Sequence, residues 1–267
     1  METSTRSTAI TAFAIGVTAY FVATVGHEGL GHGGACVLVG GKALRMSSAW
    51  FDCDKAGLHE WAVRAVEAGG TVANLLIGAL SLATMPRAPG RPGNRWYAHW
   101  LLAAVNLFMG AGYLMTSPLA NHGDWADFIV GLPHPLLVRI ALTLAGAVIS
   151  AAALRVLLRR LDPHLGAELP ARAGAARVLC WIPYGAVGGV LFSAAALLNA
   201  EGMQFALSSA LATLGGTFFL AWLPAWVKAP RGEVEQPLEL APMPAWVLAG
   251  AALTALTLSV LGPGFRF

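Results

Sequence analysis

The chain has 267 residues, of which 57% are apolar and only 12% charged, against about 25% charged in an ordinary soluble domain. That deficit argues against a soluble fold. The net charge of +3 calls for no nucleic-acid partner, because most arginines sit in short loops between apolar blocks.

The apolar blocks fall at 9–36, 61–84, 98–118, 136–158, 178–199, 205–227 and 243–262, and each approaches or exceeds the about 20 residues that cross a bilayer. The expected fold is an all-α polytopic membrane protein of about seven transmembrane helices, with a short hairpin-like or re-entrant segment after the first. Residues 1–135 would form a core and 136–267 four further helices of the same membrane domain. Tryptophans near the block ends, Trp125 among them, fit an interfacial aromatic belt.

The first block ends in "VGHEGLGHGG", residues 25–34. It reads as a retained helix, since it exceeds a signal-peptide core and no A-x-A cleavage site follows. A His-Glu pair with a second histidine a turn later is the arrangement of zinc hydrolases: imidazoles bind the metal and the glutamate takes a proton from its water. The usual H-E-x-x-H spacing works because i and i+4 differ by only about 40° around a helix. Here His27 and His32 are five apart, and an ideal helix would splay them by about 140°. A local π-type turn brings i and i+5 onto one face, and Gly29 and Gly31 tolerate the distortion. Alternatively, the helix ends at Gly31 and His32 swings back from a non-helical position.

Residues 37–60 break the helical pattern. Gly40-Gly41 signals a turn, and "KALRMSSAWF" reads as a strand or hairpin. Cys36, Cys53 and Cys180 form no C-x-x-C pair. Cys36 shares a helix face with His32 and reads as a buried, inert thiol, with a Cys36–Cys53 disulfide as the alternative should 37–60 be extracytoplasmic. In the second block, Gly69, Gly70, Ala73 and Gly78 would let helices approach closely. Asn74 could donate to a substrate backbone or to an oxygen on the metal, or serve as interhelical glue. Arg64 and Glu67 would pair with each other or with lipid headgroups.

A zinc hydrolase site needs a third protein ligand. The third block ends at Pro118, and the turn after it, "NHGDWADF", holds acidic residues away from the arginine-rich loops. Asp124 is the expected ligand, with His122 and Asp127 as reserves. The later blocks carry few candidates for chemistry.

Arg87, Arg91 and Arg95 share one loop, Arg155 to Arg177 a second, and Lys228 and Arg231 a third. On a seven-span path these fall on one side, which the positive-inside rule makes cytoplasmic. The N-terminus is then cytoplasmic, in a membrane of bacterial inner-membrane type. Lys42, Arg45 and Lys55 on the outer side conflict in part.

The landmarks "HEGLGH", the 40–52 segment, "AGGTVAN" and "HGDW" occur in an order that resembles the site-2 protease group of intramembrane zinc metalloproteases, over roughly residues 15–130. The pattern departs from that group in the extra residue of the histidine motif and in Gly70, where the group's A-G-P-x-x-N motif has proline. The resemblance implies a zinc-dependent metalloendopeptidase. Its Zn2+ would be held by His27, His32 and Asp124, with Glu28 as catalytic base and Asn74 facing the substrate. The partners implied are a transmembrane protein or peptide substrate and the lipid bilayer. Two other classes stay open. One is a non-catalytic transporter or degenerate protease scaffold, favoured by the altered spacing. The other is a di-iron membrane oxidoreductase, which would need further paired histidines such as H-x-x-H-H.

Overall fold

The computed structural model describes residues 2–86, 92–200, 203, 207, 210–230 and 236–267, with backbone alone at 2–7 and 211–212. Arg87, Arg91 and Arg231 of the basic loops lie outside the described residues, as do most of residues 201–209. The structure is mostly helical and contains six helices long and apolar enough to cross a membrane: Thr8–Leu38, Glu60–Ala83, Asn94–Ala120, Pro135–His164, Leu169–Leu197 and Pro244–Leu261. Part of the expected 205–227 block lies outside the described residues; Leu211–Trp226 within it is helical.

The first helix, α1 (Glu2–Val25), runs without a break into a π-helical stretch, Gly26–Gly33, and then into α2 (Gly34–Leu38). The remaining elements that position the site are β1 (Lys42–Met46), β2 (Phe51–Asp54), α3 (Glu60–Ala83), α4 (Asn94–Ala120), α5 (Asp124–Ile129) and α6 (Pro135–Leu161). After them come α7 (Leu169–Trp181), α8 (Phe192–Leu197), α9 (Gly216–Trp222), α10 (Pro244–Leu256) and a short β3 (Phe265–Arg266).

Helix α4 is the axis of the packing. Its Tyr97, Trp100, Leu101 and Phe108 are fully buried. Burying the Tyr and Trp polar atoms requires partners, and each finds a backbone carbonyl: Tyr97 Oη donates to Leu179 O on α7 at 2.6 Å, and Trp100 Nε1 to Leu157 O on α6 at 3.1 Å. Both bonds fix one helix against another within the apolar core.

The expected hairpin forms. β1 and β2 pair antiparallel, with a bulge between Ala43 and Arg45. The sequence did not suggest β3, which pairs with the other edge of β1 and gives the order β2-β1-β3. Cys36 and Cys53 form a disulfide that ties β2 to α2, with Cα atoms 6.0 Å apart. The reading of Cys36 as an inert thiol is therefore corrected; Cys180 is buried and free.

The basic loops meet at one end of the molecule. Leu238 N–H donates to His164 O at 2.9 Å and Glu239 N–H to Pro92 O at 3.2 Å. Arg172 there pairs with Asp162 at 2.5 Å and donates to Lys228 O at 3.1 Å. Thr11 near the start of the first span joins the same end through Ala241 O. The sheet lies at the other end, where Arg45 reaches Asn199 and Pro263.

Candidate metal centre

His27, Glu28 and His32 sit on the π-helical stretch. The distortion is visible in its bonding: Gly34 N–H donates to Gly29 O, five residues back. One extra residue per turn rotates position i+5 under position i. The two imidazole rings consequently face a common point, with centroids 4.9 Å apart. Of the two routes open from sequence, the wound π-turn is the one adopted.

Glycines make this turn possible by letting α3 press against it. A Cβ on Gly31 would lie 2.5 Å from Gly70 Cα, and one on Gly69 would lie 2.4 Å from Gly31 O. Backbone therefore meets backbone. A Cβ on Gly70 would stand 2.4 Å from His27 Nε2, so the His27 ring rests against Gly70.

Asp124 arrives from the turn after α4. Gly123 holds a φ of +80°, and a Cβ there would fall 2.0 Å from Tyr113 Oη; only glycine makes this bend at low cost. The next residue, Asp124, opens α5. Trp125 then anchors the turn, with Nε1 donating to Thr71 Oγ1 at 2.9 Å and its backbone N–H to Ser117 Oγ at 3.1 Å. It is buried, and so is not a belt residue as its position near a span end suggested. Arg64 donates to the carbonyls of Phe128 and Val130, which satisfies exposed acceptors at the C-terminal end of α5. Arg64 also pairs with Glu60, and Glu67 with Lys55, so the Arg64–Glu67 pairing expected from sequence does not form.

The result is a compact constellation. His27 Nε2 lies 3.1 Å and His32 Nε2 3.0 Å from the same oxygen, Asp124 Oδ2. One ligand atom from each of the three residues lies within 4.8 Å of the others, and among the described residues no other such cluster occurs. Burial alone would raise the Asp124 carboxyl; the imidazoles of His32 and His27 outweigh it and hold the group below the usual carboxylate range. The far nitrogens are held as well. His27 Nδ1 meets Asn74 Oδ1 at 2.6 Å, and His32 Nδ1 meets Val66 O at 2.7 Å. Both partners are acceptors, so each Nδ1 donates, and a cation that displaced the Nε2 protons now shared with Asp124 would meet both Nε2 lone pairs. Two imidazole nitrogens and one carboxylate oxygen, with the outer nitrogens already bonded, fit a zinc ion.

Asn74 lies behind the site and away from the cavity. Its amide donates to Ala23 O at 3.0 Å and to Asn106 Oδ1 at 2.9 Å, which turns its oxygen toward His27. With both hydrogens committed to α1 and α4, it holds the ring and joins helices, the interhelical alternative left open from sequence, and not the substrate-facing one. Sequence reasoning missed Asn106 and Val66, whose contributions depend on interhelical contacts. It also missed Tyr113, whose ring centroid is 5.8 Å from that of His27.

His27, His32 and Asp124 open onto a cavity of about 400 Å³. Glu28 lines the same cavity, and its carboxylate makes no hydrogen bond among the described residues. Further wall comes from the hairpin tip, Ser48 to Phe51, from the turn that carries His122 and Asp127, and from Lys55, Glu67 and Tyr113 among others. Those two reserve ligands thus border the cavity without joining the cluster. Burial, and next the charge of Asp124, raises the Asp127 carboxyl. No protein-family model matches the chain, and no curated protein or solved structure does either.

Proposed function

We propose that this protein is an intramembrane zinc metallopeptidase that hydrolyses peptide bonds in or near transmembrane segments of other proteins. The observation that carries the reading is the convergence of His27 Nε2 and His32 Nε2 on one oxygen of Asp124, with an uncommitted glutamate on the same cavity wall. Zinc bound there supplies Lewis acidity, polarising a peptide carbonyl and making water nucleophilic near neutral pH. The chain does the rest. Glu28 accepts a proton from water and hands it to the departing amine. Asn74 and Val66 O hold the two imidazoles in the ligating tautomer. The hairpin tip and the Asp124 turn frame a space for an extended peptide.

The same reading gives the chain seven crossings and an extracytoplasmic site. Asn199 bonds Gly262 O beside the sheet, whereas Lys228 O lies against Arg172 at the basic end, and the helical stretch Leu211–Trp226 between them supports one crossing beyond the six. Clustering of the basic loops at the opposite end from the site supports a cytoplasmic N-terminus, and the Cys36–Cys53 bond suits an oxidising compartment outside. The outer cations that conflicted with this orientation are partly accounted for: Lys55 pairs with Glu67, and Arg45 bonds within the protein.

The test is metal analysis of the purified protein together with cleavage of a transmembrane peptide. Bound zinc near one per chain is expected, lost in a His32→Ala, Asp124→Ala double variant or on chelation, together with cleavage. A carefully prepared sample without zinc, or cleavage that survives the double variant, overturns the reading.

A further inference from the structure

Hydrolysis of a peptide bond puts negative charge on the carbonyl oxygen as water adds, and donors already aimed at that oxygen stabilise the step. Asn74, one donor open from sequence, gives its hydrogens to Ala23 and Asn106 instead. Lys55 lines the cavity, but its ammonium is paired with Glu67. Tyr113 of α4 lines the cavity as well, and its hydroxyl is placed differently.

The Tyr113 side chain bridges two of the three proposed metal ligands. Its ring stands edge-on to His27, at 69° with centroids 5.8 Å apart. Its hydroxyl oxygen, at the far end, accepts the backbone N–H of Asp124 at 3.4 Å. Gly123 makes room for that hydroxyl. A Cβ there would fall 2.0 Å from it, so a larger residue would push the phenol aside or open the turn. Leu114 and Trp125 share the buried cluster of Tyr113, which restrains the ring. A hydroxyl can both accept and donate. Here it accepts from Asp124, while its own hydrogen meets no acceptor among the described residues. At neutral pH a phenol retains that hydrogen.

We propose that Tyr113 is a catalytic residue of this site, its O–H donating to the scissile carbonyl oxygen as negative charge builds there. This role rests on the peptidase reading, to which it adds a donor on the α4 side of the cavity. Only a hydrogen bond is made, and Tyr113 keeps its proton throughout. The water oxygen bonds to the carbonyl carbon and the carbonyl π pair moves onto oxygen. When the amine leaves with the proton delivered by Glu28, that pair returns and the hydrogen bond weakens. The ground-state carbonyl carries less charge and gains less from the same donor, so the effect falls on kcat.

The test uses the full-length protein in nanodiscs and an alanine–leucine transmembrane peptide with lysine ends. A phosphinic analogue of that peptide carries a tetrahedral, anionic phosphinate at the mapped cleavage site. Tyr113→Phe keeps the ring beside His27 and removes only the hydroxyl. Its kcat should fall about 10²- to 10³-fold, with KM, zinc content and melting temperature unchanged. It should also bind the phosphinic analogue about tenfold or more weakly. Glu28→Gln proteins with and without Tyr113→Phe should bind the uncleaved parent peptide alike. Should Tyr113→Phe melt low, a ¹³C label at Tyr113 Cζ decides. It should shift when wild type binds the phosphinic analogue and stay fixed when Glu28→Gln binds the parent peptide. Wild-type kcat in Tyr113→Phe, equal weakening toward both ligands, loss of zinc from a well-folded variant, or an unmoved label would each overturn the proposal and leave the peptidase reading intact. Absence of cleavage by the wild type would overturn both.

Discussion

Helices α4 and α6 are both 27 residues long, yet they live in different surroundings. The most apolar window of α4 is 78% buried within the protein, whereas that of the span built on α6 is only 17% buried. The α4 segment also has lower mean hydropathy, 1.3 against 2.1. A helix enclosed by protein can hold polar groups such as Asn106 and Tyr113, because neighbouring helices satisfy them; a helix facing lipid cannot. The chemistry of this chain accordingly collects on the first span, α3, α4 and the turn after it, while α6 and α10 present leucine and valine outward.

That contrast can be tested by substitution. The largest effect should come from Glu28→Gln, which keeps the shape and the three proposed metal ligands but removes the proposed base. Peptide cleavage should fall by about 10²- to 10⁴-fold with zinc content unchanged, as read by turnover and metal analysis on one sample. Replacing Cys36 and Cys53 by serine should lower stability by about 3 kcal/mol for a loop of this size, seen as a lower melting temperature, because their separation is 17 residues. A smaller but more pointed change is Asn74→Ala. It leaves all three ligands in place, yet zinc affinity should drop about 10- to 100-fold through loss of the hydrogen bond that orients His27. Gly70→Ala presses a methyl group onto the same ring and should cost about 1–3 kcal/mol as an overpacking change, again with weaker zinc binding in a competition titration. At the far end of the scale, Leu144→Ala on α6, at a side chain 60% exposed to the surroundings, should shift stability by less than about 0.5 kcal/mol. A large effect there would break the distinction between enclosed and outward-facing helices.

The local features of the site were largely legible. The i, i+5 spacing of His27 and His32 forces a choice between a π-turn and a helix end, and the glycines within "HEGLGH" make the former accessible. Elimination left Asp124 and Asp127, the acidic residues between spans away from the arginine-rich loops, and only the fold brings Asp124 alone into the cluster. For Asn74 the sequence left two roles open, substrate contact and interhelical glue, and the bonds to Ala23 and Asn106 on other helices favour the second. The same holds for Trp125: position near a span end suggests a belt, and only contact with Thr71 reveals an anchor. β3 carried no sequence signal, since two residues are too few to show an alternating pattern.

Composition and block length alone determined that the chain is mostly helical, with helices long and apolar enough to cross a membrane. They also determined where distortion was tolerable, because glycine relaxes backbone limits at its own position. Only the tertiary structure decided which groups meet. Bringing Asp124 to His27 spans 97 positions, and that distance is closed by glycine contacts between helices and by hydrogen bonds that exist only once those helices have packed.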